Sequence, residues 1–392
     1  MTSKDDKPGP GHLRALTGLR FLAAIHVVAF HFGQRWFPGV VRGLITGGYT
    51  AVSLFFVLSG FVLAYSYLGR GAGGPLDKRD FWAARVARVY PLHLLALFVM
   101  LPLIGFAEAG GSWFGCTSVV LLLQSWIPGL AMTWNTPAWS LSVEVFFYFI
   151  FPWLLPRLER LATRTFLPAF AGTYLVGLVF PSLAAFLWDW PRGGAEGAPL
   201  PSPAIVDFVR ATPLWHLPTF LLGALLGARF VRRSPAQATA EPRPWVLVTL
   251  GGGGLLLALA VFARFIPDPY LHDGALAPLQ AMLIYGLASG EGSLARLLSS
   301  PAMVLLGEAS YATYLLHVPL QRWVRLAWER LGFAPGSPAF AAVFLVVLLA
   351  ASVLVFKTFE DVARRRVRRW LTGPRRQAPD VGALARGPSR SR

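Results

Sequence analysis

Seven ionisable side chains interrupt runs of sequence that are otherwise apolar: Arg20, His26, His31, His93, Glu144, His216 and His317. A histidine titrates near neutrality and can pass a proton in either direction. A carboxylate beside it fixes its tautomer and stabilises its protonated form, the arrangement a general base uses. Glu144 is the only acidic residue well inside an apolar run, which makes it the candidate partner for a histidine. The same two side chains could instead form a buried pair that only holds two helices together, and geometry alone does not separate the readings.

Helical phase sorts the group. Arg20 and His31 are eleven residues apart, a rotation about 20° past three full turns, so they share one face with about 16 Å between them. His26 is about 240° round from Arg20 and belongs to another face, where packing explains it as well as chemistry does. In TPAWSLSVEVFFY at 136–148, Ser140 and Glu144 are four residues apart and share a face, with Trp139 and Ser142 alongside. In DKRDFWAARVARVYPLH at 77–93, Arg85 and Arg88 stand three apart at the mouth of an apolar run. Their forked guanidinium groups suit phosphates, although flanking positive charge is the ordinary alternative. Ser59 precedes Gly60 in a run at 48–65, where small residues permit close helix approach or a bend. Tyr314 and His317 lie one turn apart in ASYATYLLHVPL at 309–320, where they either line a cavity or pack.

The elements that must position these groups are membrane helices. The chain has 392 residues, of which 55% are hydrophobic and 14% charged. A soluble domain of this length could not hide that much apolar surface. Spans are expected at 15–32, 44–68, 86–106, 138–156, 166–188, 211–231, 244–264, 273–289, 302–321 and 338–356, each near the roughly 20 residues that a crossing requires. The run at 117–130 (TSVVLLLQSWIPGL) is short and ends in Pro-Gly, so it is either an eleventh span or a re-entrant segment buried in protein. Ten spans with a cytoplasmic N-terminus put 24 Lys and Arg inside and 8 outside; an eleventh full span gives 14 and 18. The positive-inside rule favours ten, with both termini cytoplasmic. The expected fold is therefore all-α: a polytopic bundle of about ten transmembrane helices at 15–356, a short cytoplasmic segment at 1–14, and a basic, partly disordered cytoplasmic tail at 357–392.

Other chemistries are disfavoured. The first twelve residues are polar and no small-residue cleavage site follows the first apolar run, so that run reads as a retained span. Cys116 is the only cysteine, and no CxxC or HExxH pattern occurs, so neither a disulfide framework nor a zinc site is expected. The net charge of +17 sits mostly in Lys and Arg between apolar runs, where it sets topology and meets anionic lipid; no nucleic acid is implied. Arg outnumbers Lys, and Ala, Gly and Pro are abundant, which points to a GC-rich bacterial genome.

Taken in order, these segments resemble membrane acyltransferase family 3. The pattern is an arginine, ten residues and a histidine in the first span (Arg20, His31); FFVLSGF at 55–61; Arg-x-x-Arg at the third span (Arg85, Arg88); WSLSVE at 139–144; and a late SY…YLLH segment at 310–317. The resemblance implies an O-acyltransferase of the cytoplasmic membrane with no tightly bound cofactor and acyl-CoA, acetyl-CoA by default, as donor. Arg85 and Arg88 would hold the donor's phosphates, and His31 would act as base or carry the acyl group, with Glu144 supporting it. Arg20 would lie on the donor's route, and Ser59, Trp139, Ser140, Ser142, Tyr314 and His317 would surround the substrates. The acceptor would be a hydroxyl of a glycan, a glycolipid or a secondary metabolite. A transporter or flippase with buried charges, a lipid-dependent acyltransferase and a structural membrane protein are the rivals.

Overall fold

The computed structural model describes residues 13–34, 38–69, 76–187, 201–234, 237, 239, 241–262 and 265–373. The described chain is all-α. In order, the helices are α1 (Arg14–Phe32), α2 (Gly39–Thr46), α3 (Ala51–Leu68), α4 (Lys78–Met100), α5 (Trp113–Val120), α6 (Trp139–Arg164), α7 (Phe166–Leu187), α8 (Pro203–Ala211), α9 (Pro213–Arg232), α10 (Pro244–Leu257), α11 (Asp268–His272), α12 (Ala277–Ala288), α13 (Ser293–Leu298), α14 (Pro301–Glu308), α15 (Ser310–Arg330), α16 (Pro338–Val355) and α17 (Asp361–Thr372).

Eight helical stretches among the described residues are long and apolar enough to cross a membrane: Arg14–Phe32, Gly39–Leu68, Lys78–Leu103, Thr136–Arg164, Phe166–Leu187, Pro203–Arg232, Pro244–Val261 and Pro338–Thr372. The count of ten is therefore not reached on these terms. The expected span at 273–289 is the 12-residue α12, about 18 Å long against a hydrocarbon core of about 30 Å. The expected span at 302–321 is two pieces, α14 and α15, and the second half of α15 carries Arg322, Arg325 and Arg330.

The segment at 117–130 does not cross as a helix. Eight-residue α5 ends at Val120, and irregular backbone follows. Non-helical backbone at membrane depth needs internal partners, and the protein supplies them. Gln124 Nε2 donates to the Ala138 carbonyl at 3.1 Å and Ser125 Oγ to the Trp139 carbonyl at 2.9 Å. Asn135 Nδ2 donates to the Leu315 carbonyl at 3.0 Å, and His93 Nε2 to that of Val119 at 3.1 Å. This plug delays the start of α6, so that helix begins inside the bundle.

The core is built on close helix contact. A Cβ on Gly60 would stand 2.1 Å from the Phe220 carbonyl oxygen, and one on Gly223 would stand 1.9 Å from that of Val57. Glycine alone lets α3 and α9 meet backbone to backbone. The contact sequence sets directions. Tyr311 donates to the Val89 carbonyl at 3.1 Å and Trp323 to that of Val99 at 2.9 Å, so α4 and α15 run parallel. Ser140 meets Tyr314 at 2.9 Å, whereas the Tyr148 carbonyl accepts from Trp82 at 3.0 Å, so α6 runs the other way. The last described helix closes this group: Arg368 Nη2 donates to both carboxylate oxygens of Asp80 at 3.0 and 2.9 Å, tying α17 to the first turn of α4.

Candidate active site

A cavity of about 540 Å³ opens between α1, α3, α4, α6, α15 and α17. Its mouth carries Arg85, Arg364, Arg365 and Arg368. Deeper, the lining includes Arg20, Arg88, Ser59, Glu144, Tyr148 and Tyr311. Its inner end is closed by Phe55, Ser140 and Tyr314. The opposed helix directions set this gradient, because α4 enters with Arg85 and Arg88 while α6 arrives from the far side with Ser140 first.

Local structure aims each group. Asp77 caps α4 by accepting from the backbone of Arg79 and Asp80, which fixes the phase that turns Arg85 and Arg88 inward. Arg85 lies over the rings of Phe81 and Tyr148, at 5.9 and 5.7 Å, and its buried Nε lacks a partner. Arg88 lies 5.6 Å from the Tyr311 ring. Between α16 and α17 a π-helical turn at Phe356–Glu360 rotates Glu360 inward, where it is buried behind Arg88 and Arg20.

Glu144 does not meet His31. It lies beside Tyr148 and Ser59, within electrostatic reach of Arg88 and Arg20. A meeting with His31 would need α6 to start at the membrane surface. It starts behind the 121–138 plug instead, and about one and a half turns later Glu144 has reached the level of Arg20. A buried carboxylate is stable among guanidinium groups, and Glu144 with Glu360 balances Arg20 and Arg88. Glu144 is thus not the only acidic residue at depth.

His31 keeps other company. Its Nδ1 is 2.9 Å from the Val27 carbonyl one turn back. A carbonyl only accepts, so Nδ1 carries the proton and Nε2 of the neutral ring keeps its lone pair. The His317 ring lies 4.9 Å away and makes the same bond to its own helix, through the Tyr314 carbonyl. His317 Nε2 is buried without a partner, whereas His31 is exposed. The two imidazoles stand beyond Tyr314, whose ring is 6.0 Å from His317. Neither lines the cavity in this conformation.

The remaining expected residues divide. Ser59, Ser140 and Tyr314 line the cavity. Ser142 turns away and donates to the Leu122 carbonyl at 2.6 Å. Trp139 packs on Phe56, His216 and His272 at 6.2, 5.4 and 6.1 Å. His26 Nε2 donates to the Leu44 carbonyl at 2.7 Å, a packing role. His216 donates to the Arg210 carbonyl at 2.9 Å, with Nδ1 3.5 Å from Asp273 Oδ1 in a fully buried pair away from the cavity. Among the described residues no three His, Cys, Asp or Glu converge as metal ligands do.

Sequence reasoning missed Tyr148, Tyr311, Glu360, Arg364, Arg365 and Arg368. The signal for three of them was present. Glu360, Arg364 and Arg368 repeat every four residues, the stripe of one helix face, inside a run read as a lipid-facing tail. The expected tail at 357–392 is helical as far as Thr372 and walls the cavity with Arg364, Arg365 and Arg368, and 374–392 lies outside the described residues.

A family model described as an acyltransferase domain, that of the family resembled by the motifs, matches residues 13–357. The chain belongs to membrane acyltransferase family 3. Acyltransferase MdmB of Streptomyces mycarofaciens is 32% identical, with 94% of this chain and 95% of that protein aligned. O-acetyltransferase OatA of Staphylococcus aureus is 24% identical across 82% of this chain, which spans only 53% of that longer protein. No comparison with a solved structure gave a significant match. The chain is thus an acyltransferase whose O-acyl transfer is supported by family membership and whose cavity is walled partly by residues beyond the family match.

Proposed function

We propose that this acyltransferase moves an acyl group, acetyl by default, from acyl-CoA to a hydroxyl of an acceptor. The observation that carries the reading is the cavity's gradient. Guanidinium groups crowd its mouth, its middle is charge-balanced, and it ends on Ser140 and Tyr314, one turn from His317. Acyl-CoA has the matching order of phosphates, a thin neutral arm and a terminal thioester. Arg85 and Arg88 hold phosphate and the upper arm. The arginine end is the cytoplasmic end, where the donor is made and where Lys and Arg are in excess.

The acceptor hydroxyl reaches His31 from the exposed side. His31 Nε2 takes its proton as the oxygen attacks the thioester carbonyl. The tetrahedral intermediate collapses, the carbon–sulfur bond breaks, and the CoA thiolate takes up the proton held by His31. The products are the O-acyl ester and CoA with its thiol. Ser140 and Tyr314 shape the inner end that receives the thioester, their hydroxyl protons held by the Pro137 carbonyl and by each other. Glu144 acts at a distance, holding Arg20 and Arg88 in place rather than orienting His31. The names of OatA and MdmB support an oxygen acceptor and an acyl donor; the acceptor class spans glycans, glycolipids and secondary metabolites.

The test is direct. Purified protein incubated with acetyl-CoA labelled in the acetyl group should release CoA and transfer or hydrolyse the label. His31→Ala should lose about 100-fold or more in rate, the usual worth of a general base. Equal activity in that variant, or no consumption of acetyl-CoA by the parent protein, refutes the reading.

A further inference from the structure

Three cavity-lining arginines lie outside the residues that match the family. The match ends at 357, and Arg364, Arg365 and Arg368 follow it on α17. They are oriented rather than loose. Asp361 pairs with Arg364 at 2.5 Å and also with Arg365, and Asp80 takes Arg368 at 2.9 Å. Each carboxylate occupies part of a guanidinium that has five donors. The side chains stay 42%, 60% and 42% exposed, so donors remain free toward the opening. Arg366, Arg369 and Trp370 on the other face point outward, with Trp370 82% exposed. α17 therefore has two faces: one turned to the cavity and one to the interface of the membrane.

The order of charges along the cavity is as informative as their number. Arg368 is level with Asp80 in the first turn of α4, Arg364 is one turn nearer the bundle, Arg85 comes next, and Arg88 lies deepest beside Glu360 and Glu144. We propose that Arg364, Arg365 and Arg368 form the phosphate subsite for the nucleotide end of the donor, outside the level of Arg85 and Arg88. This rests on the acyl-CoA reading. The phosphomonoester on the donor's ribose is its most highly charged group and its farthest from the thioester, so it falls at the outermost arginines when the thioester is at the inner end. A phospholipid headgroup offers the same phosphate chemistry, and the experiment separates the two.

Steady-state rates are measured in nanodiscs of zwitterionic lipid for three donors: acetyl-CoA, acetyl-dephospho-CoA, which lacks that phosphomonoester, and S-acetylpantetheine, which has no phosphate. The protein is compared with Arg364→Gln/Arg365→Gln/Arg368→Gln and with single Arg365→Gln, which changes the most exposed of the three side chains and keeps the link to Asp80. The readout is the ratio of kcat/KM for acetyl-CoA to that for each truncated donor. The ratio to acetyl-dephospho-CoA should fall about tenfold in the triple variant, through KM, and about two- to threefold in Arg365→Gln, as befits partly exposed charged hydrogen bonds. A fall in all three rates with the ratios intact makes α17 a structural brace and overturns the proposal. A loss seen only when anionic lipid is added assigns the arginines to lipid and also overturns it. If the parent protein consumes no CoA thioester, the underlying reading fails; if it does and the variants keep its ratios, only the subsite fails.

Discussion

At the scale of single residues, two serines that look equivalent in WSLSVE have been given different work. Ser140 faces the cavity and bonds Tyr314; Ser142 holds the Leu122 carbonyl. Leu122 has φ of 59°, a conformation that a bulky residue adopts only when its surroundings impose it. Ser142→Ala should therefore cost stability, about 1–3 kcal/mol for an unsatisfied buried group, read as a lower midpoint in thermal unfolding. Ser140→Ala should reduce kcat with a smaller change in that midpoint. The reverse pattern would exchange their roles. What the sequence disclosed here was residue type and helical phase. It could not disclose depth, because depth depends on where α6 starts, and that is set by hydrogen bonds from Gln124, Ser125 and Asn135, which belong to no periodic pattern. Glu144 was paired with His31 for this reason, and it belongs with Arg20.

At the scale of elements, the long apolar helices were legible because about 20 apolar residues are hard to disguise. α12, α14 and α15 were harder to read, since bundle interiors accept short or polar helices that lipid would reject. The glycines sort by contact rather than by motif. In GGGG at 251–254, a Cβ on Gly251 would stand 2.6 Å from the Leu283 backbone nitrogen, yet one on Gly253 meets nothing within 4 Å. Gly223→Ala should destabilise the α3–α9 pair by about 1–3 kcal/mol or more, as overpacking does, whereas Gly253→Ala should be neutral or slightly stabilising. Thermal unfolding of both variants in one detergent checks the contrast; equal effects would mean that α3 and α9 do not meet at Gly223. α17 was misread because a run of arginines flanking a span has a sufficient explanation in topology. The stripe through Glu360, Arg364 and Arg368 becomes meaningful only once a π-helical turn aims it.

At the scale of the whole molecule, the arginine mouth and the His31–His317 pair occupy opposite ends of one bundle. If the mouth is cytoplasmic, Arg366→Cys on α17 should be protected from a membrane-impermeant maleimide in intact cells, and Phe333→Cys, between α15 and α16, should be labelled, with Cys116 replaced by serine in both. Inside-out vesicles should reverse the pattern, and the opposite result would invert the orientation. The first helix, α1, and the late helix α15 each bring one imidazole to the same spot. In biosynthetic time they are far apart. His31 leaves the ribosome about 290 residues before His317, a delay of roughly 15–60 s at about 5–20 residues per second. Through that interval the early histidine lacks its imidazole neighbour, and α17 has not yet closed the mouth. The imidazole pair and the arginine mouth are therefore complete only after α15 and α17 have joined the bundle.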